Sequence, residues 1–273
     1  MDFWISVLQF LDLSMEKPEP YGAFHLVSFA FYILMAVLLC ATHKKGDMRR
    51  VHHVVQITAV VTLILEIYKQ INYGFRVVDG SIVFDYAWYA FPWQFCSTPM
   101  YVGLLAAVTR RGAFHRSMCA YLATFSVFAG VCVMFYPITV FISTIGINIQ
   151  TMFCHGSMIT VGVYLLYSGY VKLEHKTILR ALPVFLSAVG IAMVLNELAN
   201  VTGLLETDEF NMFFISPYCE PSLPVYSLIQ PLLPYPVCLL IYVGCFTLAA
   251  YLILLAAMGI SRLGRKKPQR NAV

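Results

Sequence analysis

Apolar residues in this chain run in long unbroken stretches separated by short polar turns. Seven stretches reach the roughly 20 residues a helix needs to cross a bilayer core of about 30 Å. They cover residues 21–42, 51–72, 91–109, 114–136, 148–171, 177–198 and 234–260. A strand barrel would show short alternating segments instead, because lipid-facing and lumen-facing side chains alternate along a strand. The pattern therefore predicts an all-α fold, a polytopic seven-transmembrane-helix bundle. Ahead of the first stretch, Phe3, Trp4, Val7, Leu8 and Leu11 recur at helical spacing, so residues 1–20 read as an interfacial segment, broken by Pro18 and Pro20. No basic segment precedes its apolar run, which does not read as a cleavable signal peptide. Residues 199–233, rich in Pro and aromatics, read as a packed cap over the outer face. Without an internal repeat or a linker, the chain reads as one membrane domain spanning residues 1–273, with a basic tail at 261–273.

Charge placement gives this bundle a direction. All but Lys17, Lys69 and Arg76 of the 18 Lys and Arg residues fall after the first, third, fifth and seventh stretches. Acidic residues gather in the N-terminal segment and the intervening loops. Because positive residues concentrate in cytoplasmic loops, the N-terminus is expected outside and the C-terminus in the cytoplasm, as in a multi-pass protein of the cell membrane.

Composition agrees: 60% of residues are hydrophobic and 12% charged, with a mean hydropathy of +0.75. About a quarter of a soluble domain's residues are charged, so a soluble globular protein is excluded, as is a disordered chain. The net charge of +4 arises from the basic loops and gives no ground for nucleic-acid binding. Membrane lipids are the expected partners. Eight Cys without a CxxC spacing give no reason to expect a metal or other cofactor.

Ionisable side chains inside the apolar stretches cost about 2.5–3.5 kcal/mol each near a helix centre, so each is a functional candidate. Here they are His25, Glu66, Lys69, His155 and Glu197, joined by the amides Gln70, Gln94, Gln150 and Asn196 and by Cys96. By depth along their stretches, all belong to the outer half of the bilayer. Glu66 and Lys69, spaced i, i+3, share one helix face with Gln70, so the pair can neutralise itself and point inward. In the third stretch Pro92 and Pro99 bracket Cys96. Pro99 is expected to break a helix there and to leave backbone groups free beside a thiol.

The opening of the third stretch, with Pro92, Gln94 and Cys96, and the phrase PheCysHisGlySer at 153–157 resemble the two signature regions of the YwaF-like family. That group comprises bacterial seven-span membrane proteins and is distantly similar to eukaryotic transmembrane proteins implicated as phospholipid acyltransferases. Family members tend to carry a His two residues before the Cys, where this chain has Gln94. The resemblance leaves Cys96 and His155 as the carried-over pair.

Two functions follow as expectations. In the first, the protein is an acyl transferase or lipid hydrolase acting on a lipid or acyl substrate. Cys96 is the nucleophile, His155 its base, Glu66 or Glu197 the group orienting the ring, and Lys69 or Gln94 faces a developing oxyanion. In the second, the same outer pocket binds or transports a small polar solute, with Glu66, Lys69, His155 and Glu197 as binding or proton-coupling groups; His25, Gln70 and Asn196 are supporting residues of the site. Other seven-span classes fit poorly: the last stretch has no Lys for a retinal Schiff base, and the third ends in ThrArgArg instead of an acidic-Arg-aromatic triplet.

Overall fold

The structure, a computed structural model, describes residues 2–202, 205, 209–220, 223 and 226–265. Among the described residues its regular structure is helical except for one hairpin. Helices α1 (Asp2–Leu11), α2 (Ala23–Ala41) and α3 (Met48–Gly74) precede strands β1 (Phe75–Val78) and β2 (Ser81–Phe84). Then follow α4 (Thr98–Val108), α5 (Gly112–Ala123), α6 (Phe125–Phe135), α7 (Ile145–Tyr167), α8 (Lys176–Val201), α9 (Tyr226–Ile229) and α10 (Tyr235–Arg265). Among the described residues, six helical stretches are long and apolar enough to cross a membrane: α2, α3, α5 with α6, α7, α8 and α10.

The stretch 91–109 departs from its expected course. Only Thr98–Val108 is helix, 11 residues or about 16 Å, roughly half a bilayer core. Pro99 does not break a helix but begins one: it occupies the first turn, where its missing N–H costs nothing. The non-helical residues before it are shielded by protein, with Phe95 and Ser97 buried, the setting in which irregular backbone is tolerated at membrane depth. The stretch 114–136 is likewise interrupted, at Thr124, whose hydroxyl donates to Ala120 O at 2.7 Å between α5 and α6.

At the centre stands α7, packed against α2, α3, α5 and α6. Close approach there needs glycine. A Cβ on Gly130 of α6 would lie 2.6 Å from His155 O, and one on Gly156 would overlap the Tyr32 ring of α2. Hydrogen bonds also tie α2 to α7, with Thr160 Oγ1 donating to Tyr32 O at 3.0 Å.

The two ends of the bundle differ in kind. At one end His43 meets Tyr164 OH at 2.9 Å, and the α4–α5 and α7–α8 turns border a common cavity with Met48. That end collects the basic loops. At the other, Tyr68 OH and Asn72 Nδ2 donate to Leu11 O at 2.8 and 3.3 Å, fastening α1 to the end of α3. The exposed Phe3 and Trp4 of α1 form the apolar stripe expected of an interfacial helix.

The hairpin was not anticipated. Asp79 (φ 48°) and Gly80 (φ 72°) form a two-residue turn between paired strands, and both lie in the left-handed region such turns require. Within the stretch 199–233, Met212, Phe213 and Ile215 are fully buried, whereas Tyr218, Leu228 and Leu232 are exposed, so its packing centres on residues 210–216. Residues 203, 204, 206–208, 221, 222, 224, 225 and the tail 266–273 lie outside the described residues.

Candidate functional site

The residues singled out from the sequence separate into three groups. The first is a buried ionic cluster on α3. Glu66 is 6% exposed, and Lys69 Nζ lies 2.7 Å from its Oε1. Gln70 Nε2 donates to the same oxygen at 2.7 Å, and Gln150 Nε2 of α7 reaches Oε2 at 3.5 Å. Both carboxylate oxygens are thereby engaged, which offsets the several kcal/mol a buried ion loses on leaving water. Gln70 is held in turn: its Nε2 also donates to Ala90 O at 3.0 Å, and its Oε1 accepts from Tyr86 OH. Burial, followed by the nearby Glu66 carboxylate, pushes the Tyr86 phenol up to about 12, so it remains an O–H donor at neutral pH. The hairpin is what brings Tyr86 there. Asp85 N and Ala87 N donate to Gly74 O and Tyr73 O, each at 3.0 Å, folding the chain back along the last turn of α3.

Two thiols and one imidazole border this cluster. Gln150 Nε2 also donates to Cys154 Sγ at 3.3 Å. Cys96 sits one residue before the N-cap of α4, with the Lys69 and Glu66 charges within electrostatic reach. His155 is 7% exposed, and its Nδ1 lies 2.7 Å from Thr151 O. Because a carbonyl only accepts, Nδ1 carries the proton and Nε2 presents a lone pair. That Nε2 is buried with no hydrogen-bond partner, and Lys69 is within electrostatic reach of the ring as well. No hydrogen bond joins Cys96 to His155. A cavity of about 30 Å³, room for roughly one water, lies beside Cys154, Thr62, Ser126, Ser157 and Pro99.

The second group is a clamp on the outer loop. Gln94 Nε2 donates to Asn211 O and its Oε1 accepts from Phe213 N, both at 3.0 Å. Asn196 does the same one residue along, with Nδ2 donating to Met212 O at 3.0 Å and Oδ1 accepting from Met212 N at 2.7 Å. Glu197 accepts from Tyr218 OH at 2.9 Å. These amides satisfy backbone groups of the short 3-10 turn Met212–Phe214 and its N-cap Asn211, among them the Met212 and Phe213 N–H groups that the turn itself leaves unpaired. Phe213 and Phe214 have φ of 60° and 58°, a conformation unusual for aromatic residues and fixed here by the two amides. Among the described residues, Gln94 and Glu197 therefore spend their hydrogen bonds away from Cys96 and His155.

His25 stands apart. Its Nε2 meets Met134 O at 3.0 Å, and its ring stacks on Phe29, 6.2 Å between centroids, at the α2–α6 contact.

Two neighbours of the Glu66 cluster are absent from the sequence reading of the site, Cys154 and Tyr86, whereas Gln150 is among its intramembrane amides. Gln150 and Cys154 are i, i+4 partners on α7, a spacing that signals a shared face. The AspGly pair at 79–80 between apolar runs signals the hairpin that delivers Tyr86.

A bundle of long apolar helices around an ion pair whose carboxylate is buried and hydrogen-bonded defines a multi-pass helical membrane protein with a polar centre. The chain belongs to the TMEM164 family, whose profile matches residues 20–255. No curated protein and no solved structure matches it.

Proposed function

We propose that the protein is a membrane-embedded acyl transferase or lipid hydrolase that crosses the bilayer seven times, N-terminus outside, with Cys96 as nucleophile. The observation that carries this reading is the unpartnered Nε2 lone pair of His155, buried in the polar centre that also holds Cys96 and Lys69. An orphaned buried ring nitrogen costs about 1–3 kcal/mol, a cost that a base awaiting a proton explains. Desolvation and the nearby Glu66 carboxylate both disfavour a thiolate at Cys96, so the reaction relies on the Lys69 ammonium and the positive end of α4 to offset that cost. The likeness of the Cys96 and His155 segments to YwaF-like sequences points the same way.

In the reaction, His155 Nε2 takes the thiol proton and Cys96 Sγ bonds to the acyl carbon of a lipid ester. The ester C–O bond breaks, and the leaving alkoxide takes the proton from His155. A water or acceptor hydroxyl then attacks the thioester, giving its proton to the thiolate through the same nitrogen. Lys69 stabilises the oxyanion in both steps. The cycle requires Cys96 and the His155 ring to close into contact when substrate enters, a tightening common to catalytic pairs.

The test uses purified protein in phosphatidylcholine nanodiscs carrying a fluorescent acyl chain. Cys96→Ala is expected to lower acyl release or transfer by at least about 100-fold, whereas Cys154→Ala retains it. Full activity in Cys96→Ala removes the proposal. Solute binding at the Glu66–Lys69 pair is the second reading, favoured by a carboxylate and an ammonium held together inside the apolar bundle, where such groups mark solute or proton paths. Solute flux into vesicles that depends on Glu66 and is indifferent to Cys96 would select it.

A further inference from the structure

At the basic end of the bundle, remote from Glu66, lies a cavity of about 710 Å³ whose lining includes five Arg and Lys residues. Arg110, Arg111 and Arg116 come from the α4–α5 turn and the start of α5, Lys172 from the α7–α8 turn, and Arg180 from α8. Only Arg180 is neutralised, by Glu174 at 2.6 Å. The other four take part in no ion pair among the described residues. Polar groups line the cavity between them: Tyr170 OH meets His115 Nε2 at 2.9 Å, and His115 Nδ1 lies 3.2 Å from Thr109 Oγ1. Gly112 (φ 100°) and Gly169 (φ 74°) on the lining make turns in the left-handed region, which hold the basic side chains around one concavity.

Charge that serves only to orient a membrane protein needs no cavity. Lys44, Lys45 and Arg49 at the same end are exposed, as are Arg110, Arg111, Arg116 and Lys172, but do not line this cavity, which separates the two kinds of basic residue within one molecule. Guanidinium groups match phosphate oxygens in pairs, and basic pockets between membrane helices suit anionic headgroups. Met48 on the lining is 18 residues from Glu66 along α3, about 27 Å of helix, so this cavity is a separate place from the polar centre.

We propose that this cavity binds a phosphate-bearing anion carrying at least two negative charges, as a lipid headgroup or as a free phosphate ester. Two probes distinguish the sources: dioctanoyl phosphatidylinositol 4-phosphate and inorganic pyrophosphate, each titrated by calorimetry against the purified full chain in neutral detergent. The variant Arg110→Gln/Arg111→Gln/Arg116→Gln is expected to bind roughly 100-fold more weakly, and Lys44→Gln/Lys45→Gln/Arg49→Gln to change affinity less than about twofold. Lys172→Glu, at an exposed loop position outside the packed core, is expected to weaken binding about tenfold and keeps the test open should the triple variant fold poorly. Pyrophosphate that displaces the lipid probe supports a free phosphate ester as ligand; a lipid probe it cannot displace supports a headgroup. Equal weakening by both triple variants, or no binding of either probe to the unaltered protein, overturns the proposal.

Discussion

Glu66 holds the polar centre together because it accepts from three side chains on two helices, and removing one partner of a buried pair leaves the other ion unpaired. Glu66→Ala or Lys69→Ala alone should cost about 3–5 kcal/mol, whereas Glu66→Gln/Lys69→Met should cost clearly less than the sum of its two single changes. Thermal unfolding of the detergent-purified proteins measures this, and strict additivity would refute the coupling. His155 should behave oppositely. Replacing it by Leu removes an unsatisfied buried nitrogen, so His155→Leu is expected to keep or raise the unfolding temperature while abolishing acyl transfer. A large loss of stability with activity intact would make it a packing residue. At this scale the sequence shows the Glu66–Lys69 face through its i, i+3 spacing. It does not show that Gln94 and Asn196 hold Asn211–Phe213, because a depth along a helix says nothing about the direction in which an amide points.

Helices meet in this fold where side chains are missing. A methyl on Gly156 would collide with the Tyr32 ring, so Gly156→Ala should destabilise the protein by about 1–3 kcal/mol, and Tyr32→Ala in the same chain should recover part of that loss. No recovery in chemical denaturation would locate the constraint elsewhere. The apolar stretches were legible as helices because lipid enforces intrasegment hydrogen bonding. The exception, 91–109, has a physical reason: hydropathy counts apolar residues but is blind to Pro92 and Pro99, which let the segment start as irregular backbone shielded by protein. The hairpin was legible in principle from AspGly at 79–80, yet it lies between long apolar stretches where membrane reading looks only for length.

Across the described residues, six long apolar helices and one short segment leave the topology resting on that short segment. The chain passes from the Tyr73 end of the bundle to the Arg110 end through Phe91–Thr109, only part of which is helical. If that passage crosses the bilayer, the crossings are odd in number and the termini lie on opposite faces. Epitope tags at the two ends, probed in intact and permeabilised cells, should show the N-terminal tag accessible outside and the C-terminal tag only after permeabilisation. Tags on one face would mean that the short segment re-enters without crossing.

The central claim is that Cys96 carries an acyl group during turnover. Incubating the protein with phosphatidylcholine bearing a mass-labelled acyl chain, quenching in acid and mapping peptides by mass spectrometry tests it directly. The account predicts a hydroxylamine-sensitive acyl adduct on Cys96 that is absent in His155→Leu. An adduct on Cys154 instead, or lipid turnover with no adduct on any cysteine, would contradict it.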